Sequence, residues 1–102
     1  MRKDDLRFLG LIRRAGKLSI GEENIRQAVR AGKARLILLA EDASQNAEKR
    51  AETFAERANV PLLRLDEDKD TLCRELGING GAMLAVCDEG FAAVLHEKLD
   101  KE

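Results

Sequence analysis

The chain reads as an α/β protein of one domain, a three-layer α-β-α sandwich with about four strands. Three observations predict it. Helical and extended patterns alternate along the whole sequence with no linker, repeat or low-complexity stretch between them. One extended run, Leu36 to Ala40, is apolar at every position, as a strand covered on both faces must be. The 102 residues, 44% of them hydrophobic, supply one core and not two.

Each element has its own signal. Asp4 or Asp5 can cap a first helix in which Leu6, Leu9 and Ile12 recur at helical spacing, ending near Arg14-Ala15-Gly16. A short extended piece, Lys17 to Ile20, leads to a second helix from Gly21 to about Ala31, with Ile25, Ala28 and Val29 on one face and Gly32 as its stop. Arg35 to Ala40 is then the central strand. Ser44 caps a third helix whose stripe of Ala47, Ala51, Phe54, Ala55 and Ala58 allows close packing. Val60 to Leu65 is a strand that carries its proline near the start, where a missing N–H is tolerated. Asp68 opens a short fourth helix with Leu72, Cys73 and Leu76, ended by Gly77. The loop Ile78 to Gly81 precedes a last strand, Ala82 to Cys87, and Asp88 caps a final helix with Phe91, Val94 and Leu95 inward. Right-handed crossovers place most strands parallel, although the short first strand can run either way, so the sheet is expected to be mostly parallel or mixed.

Net charge is only −1, but its distribution is uneven. Residues 1–35 hold ten Lys/Arg against four Asp/Glu, a net of +6, and residues 36–102 hold eight against fifteen, a net of −7, which together give the −1. The N-terminal third is therefore the expected surface for an anionic partner, unless its cations only solvate two helices. Cys73 and Cys87 lie far apart, without a CxxC pair and with His96 as the single histidine, so no zinc or redox motif is indicated; both read as small buried hydrophobes in a reducing cytosol. No run approaches a membrane span and the first residues lack a hydrophobic signal region, so a soluble, cytoplasmic protein is expected.

The most informative stretch runs from Ala15 to Gln27. Gly21 lets another backbone approach a helix N-terminus whose unpaired N–H groups and positive dipole end suit a phosphate. With Glu22 beside them, Glu23 can accept from base N–H groups, Asn24 can donate and accept, and Gln27 offers an amide one turn after Glu23. Arg13, Arg14, Lys17 and Lys33 are expected to surround this tip and hold phosphates. The same stretch also reads as an ordinary helix start, its acids complementing the dipole, and residue chemistry leaves both readings open.

The segments Leu9-Gly10-Leu11-Ile12-Arg13-Arg14-Ala15-Gly16-Lys17-Leu18, Gly21 to Gly32, Leu38 to Ser44, Asn59-Val60-Pro61 and Ala85 to Ala92 occur in this order over nearly the whole chain. Together they resemble the kink-turn-binding ribosomal protein superfamily and, within it, the bacterial YlxQ-type branch. The resemblance implies a single α-β-α sandwich and non-catalytic recognition of a sharply bent RNA, the kink-turn. That family's motif, Gly-x-Asn-Glu-x-x-Lys, aligns with Gly21, Glu23, Asn24 and Gln27. Only the glycine is retained; acid and amide are exchanged, and the cation is a neutral amide. Because a charge-assisted hydrogen bond is roughly twice as strong as a neutral one, a weaker or differently selective contact is expected. The family's second contact, the loop before the last strand, aligns with Ile78, Asn79, Gly80, Gly81, Ala82 and Met83, where Ile78 and Met83 could lie against a base or sugar; the glycines also read as residues that only end a helix and turn the chain, and both readings stay open.

The expected partner is thus structured RNA, in the ribosome or another non-coding RNA, bound by a monomer without cofactor or metal. Neither DNA nor a membrane is expected. With no Trp, no Tyr and three Phe, the chain lacks an aromatic platform for single-stranded bases. Two other classes compete. Asp42 and Asp88 each follow a strand and with Glu41 could hold magnesium for phosphoryl transfer, but both also stand at helix starts, where Asp is a common cap. A protein-binding adaptor of the same fold, using the acidic C-terminal two-thirds, is the serious alternative.

Overall fold

The computed structural model describes residues 3–100. In chain order the elements are α1 (Lys3–Arg14), β1 (Leu18–Ile20), α2 (Glu22–Arg30), β2 (Leu36–Leu39), α3 (Gln45–Ala58), β3 (Leu62–Arg64), α4 (Lys69–Leu76), β4 (Met83–Val86) and α5 (Glu89–Asp100). One four-stranded sheet, in the order β1-β4-β2-β3, lies between two helical layers. No helix among the described residues is long and apolar enough to cross a membrane.

The pleat of β2 builds both cores. Leu36 and Leu38 point to one face, where they join Leu84 and Val86 beneath α1, α4 and α5; Ile37 and Leu39 point to the other and join Met83 and Ala85 beneath α2 and α3. All four β2 side chains are buried, each contributing roughly 1.5–3 kcal/mol. The alanine stripe of α3 does what its small residues allow, with Ala51, Phe54 and Ala55 buried against the sheet.

Helix ends follow local chemistry. The Ser44 hydroxyl accepts from Ala47 N at 3.1 Å, Asp68 accepts from Thr71 N at 2.8 Å, and Asp88 accepts from Phe91 N at 2.8 Å. The Thr71 backbone N–H holds the Asp68 carboxyl below its ordinary value, helped by the Thr71 side chain and Arg74.

Several expectations need correction. β1, β2 and β3 run in one direction, as the two crossovers through α2 and α3 require, but β4 runs against all three and is inserted between β1 and β2. Only the β2–β3 pairing is parallel, so the sheet is mixed, one of the two expected forms; the correction is that β4, and not the short first strand, is the one reversed. Asp4 and Asp5 lie inside the first turn of α1 and do not cap it; Asp5 is instead 4% exposed, with Lys98 Nζ at 4.0 Å from its carboxylate. Val94 is 44% exposed, because the inward face of α5 is made by Phe91, Ala92, Leu95 and Leu99. Cys73 and Cys87 are half-buried, and Cys87 Sγ sits 3.4 Å from the Ser19 hydroxyl.

Candidate nucleic-acid interface

The reversed strand assembles the site. Entering the sheet beside the exits of β1 and β2, β4 starts with Met83 O accepting from Gly21 N (3.2 Å) and is preceded by Ala82 O accepting from Ala40 N (2.8 Å). The loop before β4 therefore lies on the start of α2. A Cβ on Gly81 would stand 3.1 Å from Ile20 Cγ2 and 3.6 Å from Gly21 N, and Gly81 has φ 108. Gly21 itself, with φ 86 and ψ 157, occupies a region that is essentially glycine-only. Gly81 lets the two segments touch, and Gly21 lets the chain turn from β1 into α2 beside it.

Of the four helices that follow a strand, α2 alone has no side-chain cap; Ser44, Asp68 and Asp88 cap the other three. Its first-turn N–H groups keep their capacity for an external acceptor at the positive end of the helix. Asn24 Nδ2 donates to Ile20 O at 2.9 Å, which ties the turn and leaves Oδ1 and the second N–H for a ligand. Asn24, Gln27 and Lys33 line one open groove of about 510 Å³ between α2 and β1, floored by Leu18, Ser19 and Ile20. Gln27 is exposed.

Two residues before Asn24, and hence on the opposite side of the helix, Glu22 is bound to Arg50 of α3 at 2.6 Å and approached by Arg26 at 3.7 Å. Glu22 thus faces away from the groove. Glu23, exposed at the rim, pairs with Arg26, whose guanidinium also stands 5.9 Å from the Phe54 ring centroid. Arg26 and Arg50 are the cations present at this tip, and sequence reasoning gave them no role. The i+3 and i+4 spacing of Arg26 from Glu23 and Glu22 was a readable signal. Arg50 had none, because its place depends on how α3 packs on α2.

Of the four cations expected around the tip, three lie outside its groove and Lys33 stands only at the groove's far end. Lys17 O accepts from Cys87 N at the exit of β4, the opposite end of the sheet from Gly21, and Lys33 follows the C-terminus of α2, its N–H bonded to Ala28 O. Lys33 remains part of the groove at its far end; Lys17 does not line it. Arg13 Nη2 donates to Gly77 O at 3.4 Å, and Arg14 lies between α1 and α4, on the other side of the sheet from α2. In the loop, Asn79 and Gly80 are exposed and Gly81 and Ile78 half-buried, Ile78 packing on the α1 side of the core. Met83 is 3% exposed beneath α2 and α3, so its side chain cannot lie against a base; the first residue of a strand covered on both faces points inward.

The carboxylates considered for catalysis do not converge. Asp42 lies beyond β2, where its Oδ1 accepts from Lys69 N at 2.9 Å, and Asp88 lies beyond β4, which runs the opposite way, so the two stand at opposite ends of the sheet. Among the described residues no group of His, Cys, Asp or Glu could hold a metal ion. The three Phe rings are spent on packing, Phe8 edge-on to Phe91 at 5.7 Å and Phe54 buried.

Comparison with known proteins agrees with this architecture. The chain is 37% identical over 93 residues to the RNA-binding protein YlxQ of Bacillus subtilis (strain 168), an alignment covering 91% of this chain and 92% of that one. It is 29% identical over 99 residues to the RNA-binding protein YlxQ of Enterococcus faecium, covering 97% and 94%. A solved structure of a protein of unknown function from Bacillus halodurans C superposes with a TM-score of 0.87 at 28% identity, covering 97% of this chain and 99% of that one. The family described as ribosomal protein L7Ae/L30e/S12e/Gadd45 matches residues 7–96, and the chain belongs to that family.

Proposed function

We propose that this protein is a non-enzymatic RNA-binding protein that recognises a sharply bent, structured RNA of the kink-turn kind, in ribosomal or another non-coding RNA. The observation that carries this reading is the meeting of two segments remote in sequence, the uncapped start of α2 and the loop from Ile78 to Gly81, at the paired glycines 21 and 81. A bend presents two backbone directions at once, and an edge made of two adjacent segments can engage both. Asn24 and Gln27 read base edges, Glu23 adds an acceptor at the rim, and the N–H groups of α2 with Lys33 hold phosphates. Relatives named for RNA binding over nine-tenths of their length support the same partner.

Titration of the protein into a labelled kink-turn RNA and into a straight duplex of equal length, each at two salt concentrations, tests the proposal. Tighter binding to the bent RNA at both salts is expected. Equal, salt-sensitive binding to both would reduce the function to a nonspecific basic surface. Binding to neither would replace it with the protein-binding adaptor.

A further inference from the structure

We infer that the outward face of α1 is a second RNA contact, a track for the phosphate backbone of a double-helical arm that flanks the bend. This inference rests on the RNA-binding reading above and extends it to a surface across the sheet from α2.

Lys3, Arg7, Gly10 and Arg14 recur at intervals of four, three and four, so they share one face of α1. With Leu6 and Glu75 they line an open groove of about 590 Å³ between α1 and α4. Three cations face it against the one carboxylate of Glu75. Arg14 has no ion pair among the described residues, and Arg7 has only the exposed Asp4 at 4.0 Å, a pairing of the kind worth little in water. By helical rise, Lys3 to Arg14 spans roughly 16 Å, enough to follow several phosphates.

Gly10 is the independent observation. It stands in the middle of a helix, where glycine costs about 1 kcal/mol relative to alanine. A Cβ there would meet nothing within 4 Å, so no packing contact requires the glycine. What its missing side chain provides is a groove floor that an external backbone can approach. Continuity with the first site comes from Arg13, whose bond to Gly77 O fixes the end of α1 to the residue from which the Ile78 to Gly81 loop departs. Cations around a bare glycine, with no aromatic anchor among the groove's residues, fit a phosphodiester chain better than a protein surface.

The test measures fluorescence anisotropy with a kink-turn RNA whose flanking arm is short and with one whose arm is longer by a helical turn, across a salt series. The parent protein should bind the longer-armed RNA about ten-fold tighter at low salt. Arg7→Gln/Arg14→Gln should abolish that gain and lower the salt slope by about two, while still distinguishing bent from straight RNA. Gly10→Gln should also lose the gain, yet melt at the same or a higher temperature, which separates a contact from a folding defect. If the double variant keeps the arm-length gain and the parent slope, or if the parent prefers bent RNA but shows no gain, the α1 track is wrong and the first site stands. If the parent fails to prefer bent RNA at all, the reading beneath both is wrong.

Discussion

The start of α2 and the outer face of α1 are both exposed, and they are built from opposite materials. At the α2 start, backbone does the work: two glycines, uncapped N–H groups and amide side chains, with Glu22 and Glu23 neutralised by Arg26 and Arg50. On α1 there is almost only charge, spaced along one face around Gly10. The first can discriminate, because donors and acceptors in fixed positions reject a misplaced partner. The second can only attract. On the proposed reading, specificity and affinity belong to separate surfaces, with the end of α1 tied to the end of α4 by the Arg13–Gly77 hydrogen bond.

The contrast is broken most severely at Gly21. Gly21→Ala forces a side chain into φ 86, ψ 157, at a cost of about 1–3 kcal/mol, and should erase the preference for bent RNA while salt-dependent binding persists. Thermal melts and the two-RNA titration measure both parts. Next in size is Gln27→Lys, which restores the cation of the family motif in the groove beside Asn24. A charge-assisted contact in place of a neutral one should tighten binding to the bent RNA by roughly 1 kcal/mol, about five-fold, and steepen its salt slope by less than one phosphate's worth. Glu22→Gln is a smaller perturbation. Releasing Arg50 and Arg26 should strengthen binding to bent and straight RNA alike, with stability changed by about half a kcal/mol or less, since these pairs are partly solvated.

The smallest effect concerns a helix end outside both surfaces. The carboxyl of Asp68 is held below its ordinary value in the folded chain, chiefly by Thr71 N–H. Its contribution to stability is therefore fully present above the unfolded value of about 3.9 and is lost as pH falls through the lower folded value. Asp68→Asn should flatten the acid limb of a melting-temperature profile below about pH 4 and leave RNA binding at neutral pH as it was.

Much of this was legible because local rules govern it. Ser44, Asp68 and Asp88 announced their helices, and the unbroken apolar run of β2 announced its central place. Gly21 and the loop glycines were visible too, as residues that let backbones approach. What was not legible depended on tertiary packing, above all on the direction of one strand. Reversing β4 brings residue 81 onto residue 21; Lys17 and Lys33 stand at the far end because one precedes β1 and the other follows α2, and Met83 is buried because β4 is covered on both faces. A charge count along the chain cannot see this: the +6 of the N-terminal third belongs to at least two faces. The Arg50–Glu22 pair had no sequence signal either, because it depends on how α3 packs on α2.

The central claim, that the start of α2 and the loop before β4 act as one recognition edge, is tested most directly by titrating the nitrogen-15-labelled protein with the kink-turn RNA and following its amide resonances. Gly21, Asn24, Gln27, Asn79 and Gly81 should shift together along one binding curve, with Lys49 and Thr53 on the outer side of α3 unmoved. Shifts confined to Arg7, Arg14 and their neighbours, with the glycine pair silent, would contradict the account.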